Sequence, residues 1–142
     1  MFDVMNISAS AMRAQSIRIQ VIAENVAGSP VLAARVDGQG NAVPYRRQQV
    51  FFVPGAPEFG LKSQGVRVAR IAEDPAPFPL EYNPDHPLAV REGPEAGYVR
   101  RSNVNPLLEQ VDFLVASRAY EANLTAFEVT KTMMRGALRI LA

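Results

Sequence analysis

Residues 103–142 read NVNPLLEQVDFLVASRAYEANLTAFEVTKTMMRGALRILA. Phe113, Tyr120, Phe127, Met134 and Leu141 recur at every seventh position. Leu124 and Leu138 follow two of them by four, and Ser117 and Lys131 take the matching polar places. Alternating steps of four and three lay side chains along one stripe of an α-helix. Asn105 is placed to accept from the first unpaired amides, and Pro106 suits the first helical position, where no amide hydrogen is needed. Glu109 near the start, with Arg135 and Arg139 near the end, complements the helix dipole. The pattern predicts one helix of about 36 residues, roughly 54 Å long at 1.5 Å per residue. Globular helices average about 11–12 residues.

Val115, Ala119, Ala122, Ala126, Val129, Met133, Ala137 and Ile140 carry apolar surface well round the same helix. Residues 4–27 form a second helical candidate. Met5, Met12, Ile19 and Val26 repeat every seven, with Ala9, Ser16 and Ala23 between them in a large–small alternation suited to close packing. Another stripe, Ile7, Ala14 and Val21 with Ala11 and Ile22 beside it, lies elsewhere on that helix, and Arg13, Gln20 and Glu24 form a polar ridge. A surface helix in a monomer shows one apolar face, so two stripes predict two neighbours. Gly28 and Pro30 close the helix. A hairpin of two helices covers one face of each, and an apolar band of this extent predicts association.

Between the helices the composition changes. Ten of the eleven prolines and eight of the nine glycines lie in residues 28–102, which excludes helix over most of the span. Tyr45–Val53 and Gly65–Ala72 read as strands, Gly97–Val104 as a weaker one, Pro75–Pro79 as extended or edge chain, and residues 31–43 as an exposed loop. Three such strands predict a small twisted sheet with a thin core. The fold class expected is α+β: long N- and C-terminal helices packing as a coiled-coil-like pair, antiparallel or crossed, with a small β-rich insertion between them.

The totals narrow the function. Apolar residues make up 48%, enough for a packed core. A net charge of +1 gives no basic footprint for nucleic acid. With no cysteine, thiol catalysis and cysteine-ligated metal are excluded. Asp3 and Arg13 interrupt any secretory signal at the N-terminus, and no uncharged apolar run of about 18 residues exists to span a membrane. His86, the single histidine, sits between prolines in Asn83-Pro-Asp-His-Pro87, where a fixed turn is a better reading than a metal or acid–base site, because the partners of such a site are missing. Arg46-Arg47 and Arg100-Arg101 read as solvated strand faces or as contacts to an acidic neighbour. No serine or glycine-rich context marks a nucleophile or phosphate loop. The sequence predicts no enzyme, no cofactor and no metal.

Several stretches, in the right order along nearly the whole chain, resemble the axial proteins of the bacterial flagellum, and among them the proximal-rod proteins of the C type. Ala23-Glu-Asn25-Val-Ala27 is similar to the AxNxAN motif that ends the family's N-terminal helix, with Gly28 where the family often has asparagine. Gly65-Val-Arg-Val68 with Glu73-Asp-Pro75, Tyr82-Asn-Pro-Asp-His-Pro-Leu-Ala89, and Ser117-Arg-Ala-Tyr-Glu-Ala-Asn123 followed by Lys131-Thr-Met-Met134 resemble further family motifs. Val90, Arg101-Ser102 and the stretch Arg91–Ala96 depart from the pattern.

The resemblance implies an axial core made by residues 1–28 and 103–142 and an outer insertion of residues 29–102. It implies a structural rod subunit that assembles helically, transmits torque from motor to hook, and is exported through the flagellum's own type III apparatus without a cleaved signal. Its partners would be copies of itself and other rod proteins, with the export-gate and membrane-ring junction on one side and the distal rod on the other. The assembly interface is assigned to Met5, Met12, Ile19, Val26, Phe113, Tyr120, Leu124, Phe127, Met134, Leu138 and Leu141. The alternative class is a secreted coiled-coil adaptor or chaperone-like binding module.

Overall fold

The computed structural model describes residues 2–141, apart from the side chains of Phe2, Leu61, Lys62, Ser63, Ile140 and Leu141. Helix α1 spans Phe2–Gly28 and helix α2 spans Pro106–Leu141. Between them lie β1 (Arg35–Val36), β2 (Ala42–Val43), β3 (Gln48–Ala56), β4 (Leu61–Glu73), β5 (Leu80–Tyr82) and β6 (Tyr98–Arg100). The architecture is α+β, with the two long helices packed together and the β elements inserted between them in sequence.

Local chemistry sets the helix ends. The Asn105 side-chain oxygen accepts from the Leu107 and Leu108 amides at 3.1 and 3.5 Å, and Pro106 has no amide to satisfy. The 36 residues of α2 match the length predicted from the seven-residue repeat. At the end of α1, the Ser29 hydroxyl and amide both donate to the Val26 carbonyl, at 2.8 and 3.3 Å.

The expected three-stranded sheet is not what forms. The strands make three separate two-stranded ladders: β1 with β2, β3 with β4, and β5 with β6. The first and third are antiparallel, pairing Arg35 with Val43 and Glu81 with Val99. Strand character is read from local composition, but pairing depends on where distant chain returns, and period-two patterns do not encode that. Residues 31–43, expected as a loop, close into the β1–β2 hairpin because the Asp37 carboxylate accepts from the Gln39 and Asn41 amides at 2.9 and 2.8 Å. Pro75–Pro79 has no regular structure, as its proline content demands.

Contacts divide the chain into two compact units, each discontinuous in sequence. One comprises Met1–Val21, Val50–Ala72 and Val111–Ala142; the other comprises Ile22–Gln49 and Glu73–Gln110. In the first, Asn6 donates to the Phe59 carbonyl at 3.2 Å and the Ser10 hydroxyl accepts from the Val66 amide at 3.2 Å, so two polar side chains of α1 hold the β3–β4 ribbon. Arg18 pairs with Asp112 at 3.1 Å. In the second, Asn25 bonds Glu109 at 3.1 Å. Later residues of α1 therefore meet earlier residues of α2, and the helices run antiparallel.

Candidate assembly faces and the polar hub

The buried apolar residues of the two helices run from alanine to isoleucine, Ile22 of α1 among them. Ala14 and Val21 of α1 and Ala116 of α2 are buried, and Ile7 and Ala11 are half-buried. This line is the second of the two α1 stripes. The first, Met5, Met12, Ile19 and Val26, stands roughly 120–180° round the helix at 100° per residue. Met5, Met12 and Ile19 are half-buried and Val26 is exposed.

On α2 the seven-residue stripe straddles the boundary of the packed face. Tyr120, Phe127 and Met134 are half-buried, whereas Phe113, Leu124 and Leu138 are exposed. The buried seat belongs to Ala116, with no exposed surface, because a methyl side chain lets two backbones approach. Leu141 lies outside the described side chains. A further line of apolar surface consists of Leu108, Val111, Val115, Val129 and Met133, all about half exposed or more. With Ala122 and Ala126, also exposed, it runs from the first turn to Met133, with the exposed Arg118 as the charged residue at its edge between Val115 and Ala122.

A polar hub in the second unit was not assigned from the sequence. Asn25 is 1% exposed and Glu109 is fully buried. The Asn25 side-chain amide donates to the Gln48 carbonyl at 2.9 Å and to Glu109 at 3.1 Å. Its carbonyl oxygen accepts from the Gln48 amide at 2.8 Å and from the Tyr45 hydroxyl at 3.2 Å. Both donor hydrogens and both acceptor sites of the asparagine are thereby satisfied. The other Glu109 oxygen takes Nε of Arg47 at 2.6 Å, and Arg47 also lies 3.6 Å from Asp74. The Arg47 amide donates to Asn103 at 2.7 Å. Burial, followed by the negative charges of Glu24 and Glu109, raises the Tyr45 hydroxyl pKa above its ordinary value. The hub joins α1, the start of β3 and the first turn of α2.

Glu109 thus answers a guanidinium as well as the helix dipole, and Arg47 meets an acidic neighbour within its own chain. A legible signal was available. Asn25 stands four residues after Val21 on the line 7, 11, 14, 18, 21, 25, and a polar residue in such a seam needs partners. Gly28 belongs to the same arrangement. A Cβ built there would lie 2.5 Å from the Tyr45 ring, so only glycine admits the ring.

The other basic pair is also matched internally. Arg100 meets Glu95 at 2.8 Å and Asp37 at 3.4 Å, and Arg101 pairs with Glu81. His86 sits in a turn. Its Nδ1 accepts from the Leu88 amide at 3.1 Å, and its own amide donates to Asn83 at 3.2 Å. Among the described residues no three His, Cys, Asp or Glu side chains gather to hold a metal ion, and no helix is long and apolar enough to cross a membrane.

Residues 95–140 match the family model described as flagellar basal body rod FlgEFG protein C-terminal. Nearly the whole chain is similar to flagellar basal-body rod proteins FlgC. It is 40% identical over 154 residues to that of Borreliella burgdorferi, covering 99% of this chain and 97% of the relative. It is 40% identical over 150 residues to that of Bacillus subtilis, covering 98% and 97%. Against the Salmonella typhimurium protein the figures are 38% over 141 residues, 99% and 97%.

Proposed function

Since the chain belongs to the FlgC family of flagellar basal-body rod proteins, we propose that it is a structural subunit of the proximal rod, assembling helically with copies of itself and with other rod proteins. It carries torque from the motor towards the hook, lines the export channel region and performs no catalysis. It is exported by the flagellum's own type III apparatus, keeps its N-terminus, and lies in the periplasm-spanning rod between the export-gate and membrane-ring junction and the distal rod.

The observation that carries this reading is the unshared apolar surface of α2. Leu108, Val111, Val115, Leu124, Val129, Met133 and Leu138 remain exposed after the two helices have packed. Large apolar patches of this kind mark interaction sites. Contacts between unlike faces of successive subunits build helical assemblies when the rotation does not close, and close-packed side chains transmit shear because they compress little. The test is to delete the gene, restore it with a tagged copy, and isolate basal bodies. The tagged chain should be recovered in the rod fraction, and the deletion strain should lack completed rods. Completed rods without the chain would overturn the proposal.

A further inference from the structure

We infer that Asn25, Glu109 and Arg47 form a register lock, which selects one alignment of α1 on α2 among several that the apolar repeat alone would allow. On α1 the inward apolar residues Ile7, Ala14 and Val21 are seven apart, and on α2 so are Tyr120, Phe127 and Met134. Sliding one helix along the other by seven residues, about 10.5 Å at 1.5 Å per residue, brings the apolar positions of these two stripes back opposite each other, and one such slip brings to the Ala116 seat only Asn123, whose amide is bonded within its own helix to the Ala119 carbonyl. Greasy contact therefore discriminates weakly between these alignments.

The hub discriminates strongly. A slip one way sets Asn25 against Ala116, and the other way against Ser102, which precedes α2. Either slip parts the Asn25 amide from the Glu109 carboxylate, now 3.1 Å away, and carries the carboxylate from the Arg47 guanidinium at 2.6 Å. Glu109 has no exposed surface, so water cannot replace the lost partners. Asn25 is also bonded twice to the backbone of Gln48, which fixes α1 against β3. Alignment is thus set against the β element as well as between helices. A single buried polar residue specifying register is a known device in paired helices. The lock is a property of the chain itself and stands independently of the rod reading.

The chain has no cysteine, so introduced pairs report cleanly. Arg18 and Asp112 touch in the native alignment, and Arg18 would face Ala119 after a seven-residue slip. Full-length chain carrying Arg18→Cys with Asp112→Cys, or Arg18→Cys with Ala119→Cys, is treated with a short bis-maleimide, both as purified and in isolated basal bodies. Intrachain bridges are quantified by mass spectrometry, and helix content by circular dichroism. With the hub intact, the native pair should bridge at least ten times more than the slipped pair. Adding Asn25→Leu with Glu109→Leu should keep the helical signal and bring the two yields to within about threefold. Glu109→Gln keeps one acceptor oxygen and sets an NH2 group against the second donor, so its native preference should fall between those of the parent and of the leucine double variant. Unchanged native preference in the leucine double variant would overturn the lock. So would loss of both bridges together with the helical signal, because the hub would then be a stability element only.

Discussion

The side-chain amide of Asn25 and the backbone of Gln48 exchange two hydrogen bonds, of 2.8 and 2.9 Å, so that a helix residue stands where a neighbouring strand would. The same amide reaches Glu109 on the other helix. One asparagine therefore serves three elements, and its loss is felt in all of them. Asn25→Ala leaves the Gln48 amide and carbonyl and one Glu109 oxygen without their partner. Each buried group left unsatisfied costs about 1–3 kcal/mol; Gln48 is only half-buried, so the low end of the range applies, and the variant is expected to lose at least about 3 kcal/mol of stability, measured by urea unfolding followed through helical circular dichroism.

Two glycines give opposite expectations. At Gly28 a methyl group would meet the Tyr45 ring at 2.5–2.7 Å, so Gly28→Ala must displace the ring and strain its bond to Asn25. Overpacking of this kind costs about 1–3 kcal/mol. Gly136 lies inside α2 with open space around it, and Gly136→Ala should stabilise the helix by about 0.5–1 kcal/mol. Thermal unfolding of both variants checks the pair. Equal shifts of the same sign would contradict the packing described at Gly28.

Acid should weaken the second unit. Asp37 has its pKa lowered from 3.8, first by the Asn41 amide and then by the Gln39 amide and Arg100. Asp74 is lowered from 3.8, first by the Ala76 amide and then by Arg47, and Glu81 is lowered from 4.5 mainly by Arg101. A carboxyl with a lower pKa in the folded state binds its proton less readily there than when unfolded. Its contribution is therefore complete above the unfolded value and disappears as pH falls through the folded one. The midpoint of thermal unfolding should be flat from about pH 7 to 5 and fall below about pH 4. Asp74→Asn removes one titrating group and should make that fall shallower.

The helices were legible in the sequence because their signals are local. The cap at Asn105, the proline at 106 and the seven-residue repeat all lie within the segment they describe. Strand pairing was not, since the partner of Leu80 is Arg100 and the sequence between them carries no matching code. The buried face of α1 was half legible. Two stripes were visible, but small residues at 14 and 116 decide which one the chain covers, and hydrophobic size points the other way. The hub escaped because Asn25 meets Glu109 across 84 residues and Arg47 meets it across 62. Buried charges look like surface charges until their partners are placed beside them.

His86→Ala removes the Nδ1 acceptor of the Leu88 amide. That amide is only partly buried and water can take the place of the ring, so swimming should be nearly unchanged. Abolished motility at normal expression would mean that the turn performs a task beyond holding its own shape.

Leu124 and Phe127 separate folding from assembly. Leu124 is 39% exposed in the lone chain, whereas Phe127 is half-buried. An aspartate at 124 keeps much of its hydration until a neighbour covers it; at 127 it is partly desolvated as soon as the helices pack. Burying an unpaired charge costs several kcal/mol. Leu124→Asp should therefore leave the helix content and unfolding midpoint of the purified chain close to those of the parent, while rod completion and swimming fail. Phe127→Asp should depress both. Normal rods with Leu124→Asp at normal expression would remove Leu124 from the interface and move the subunit contact to the apolar line through Val115, Val129 and Met133, where Val129→Asp would then be the variant that blocks assembly.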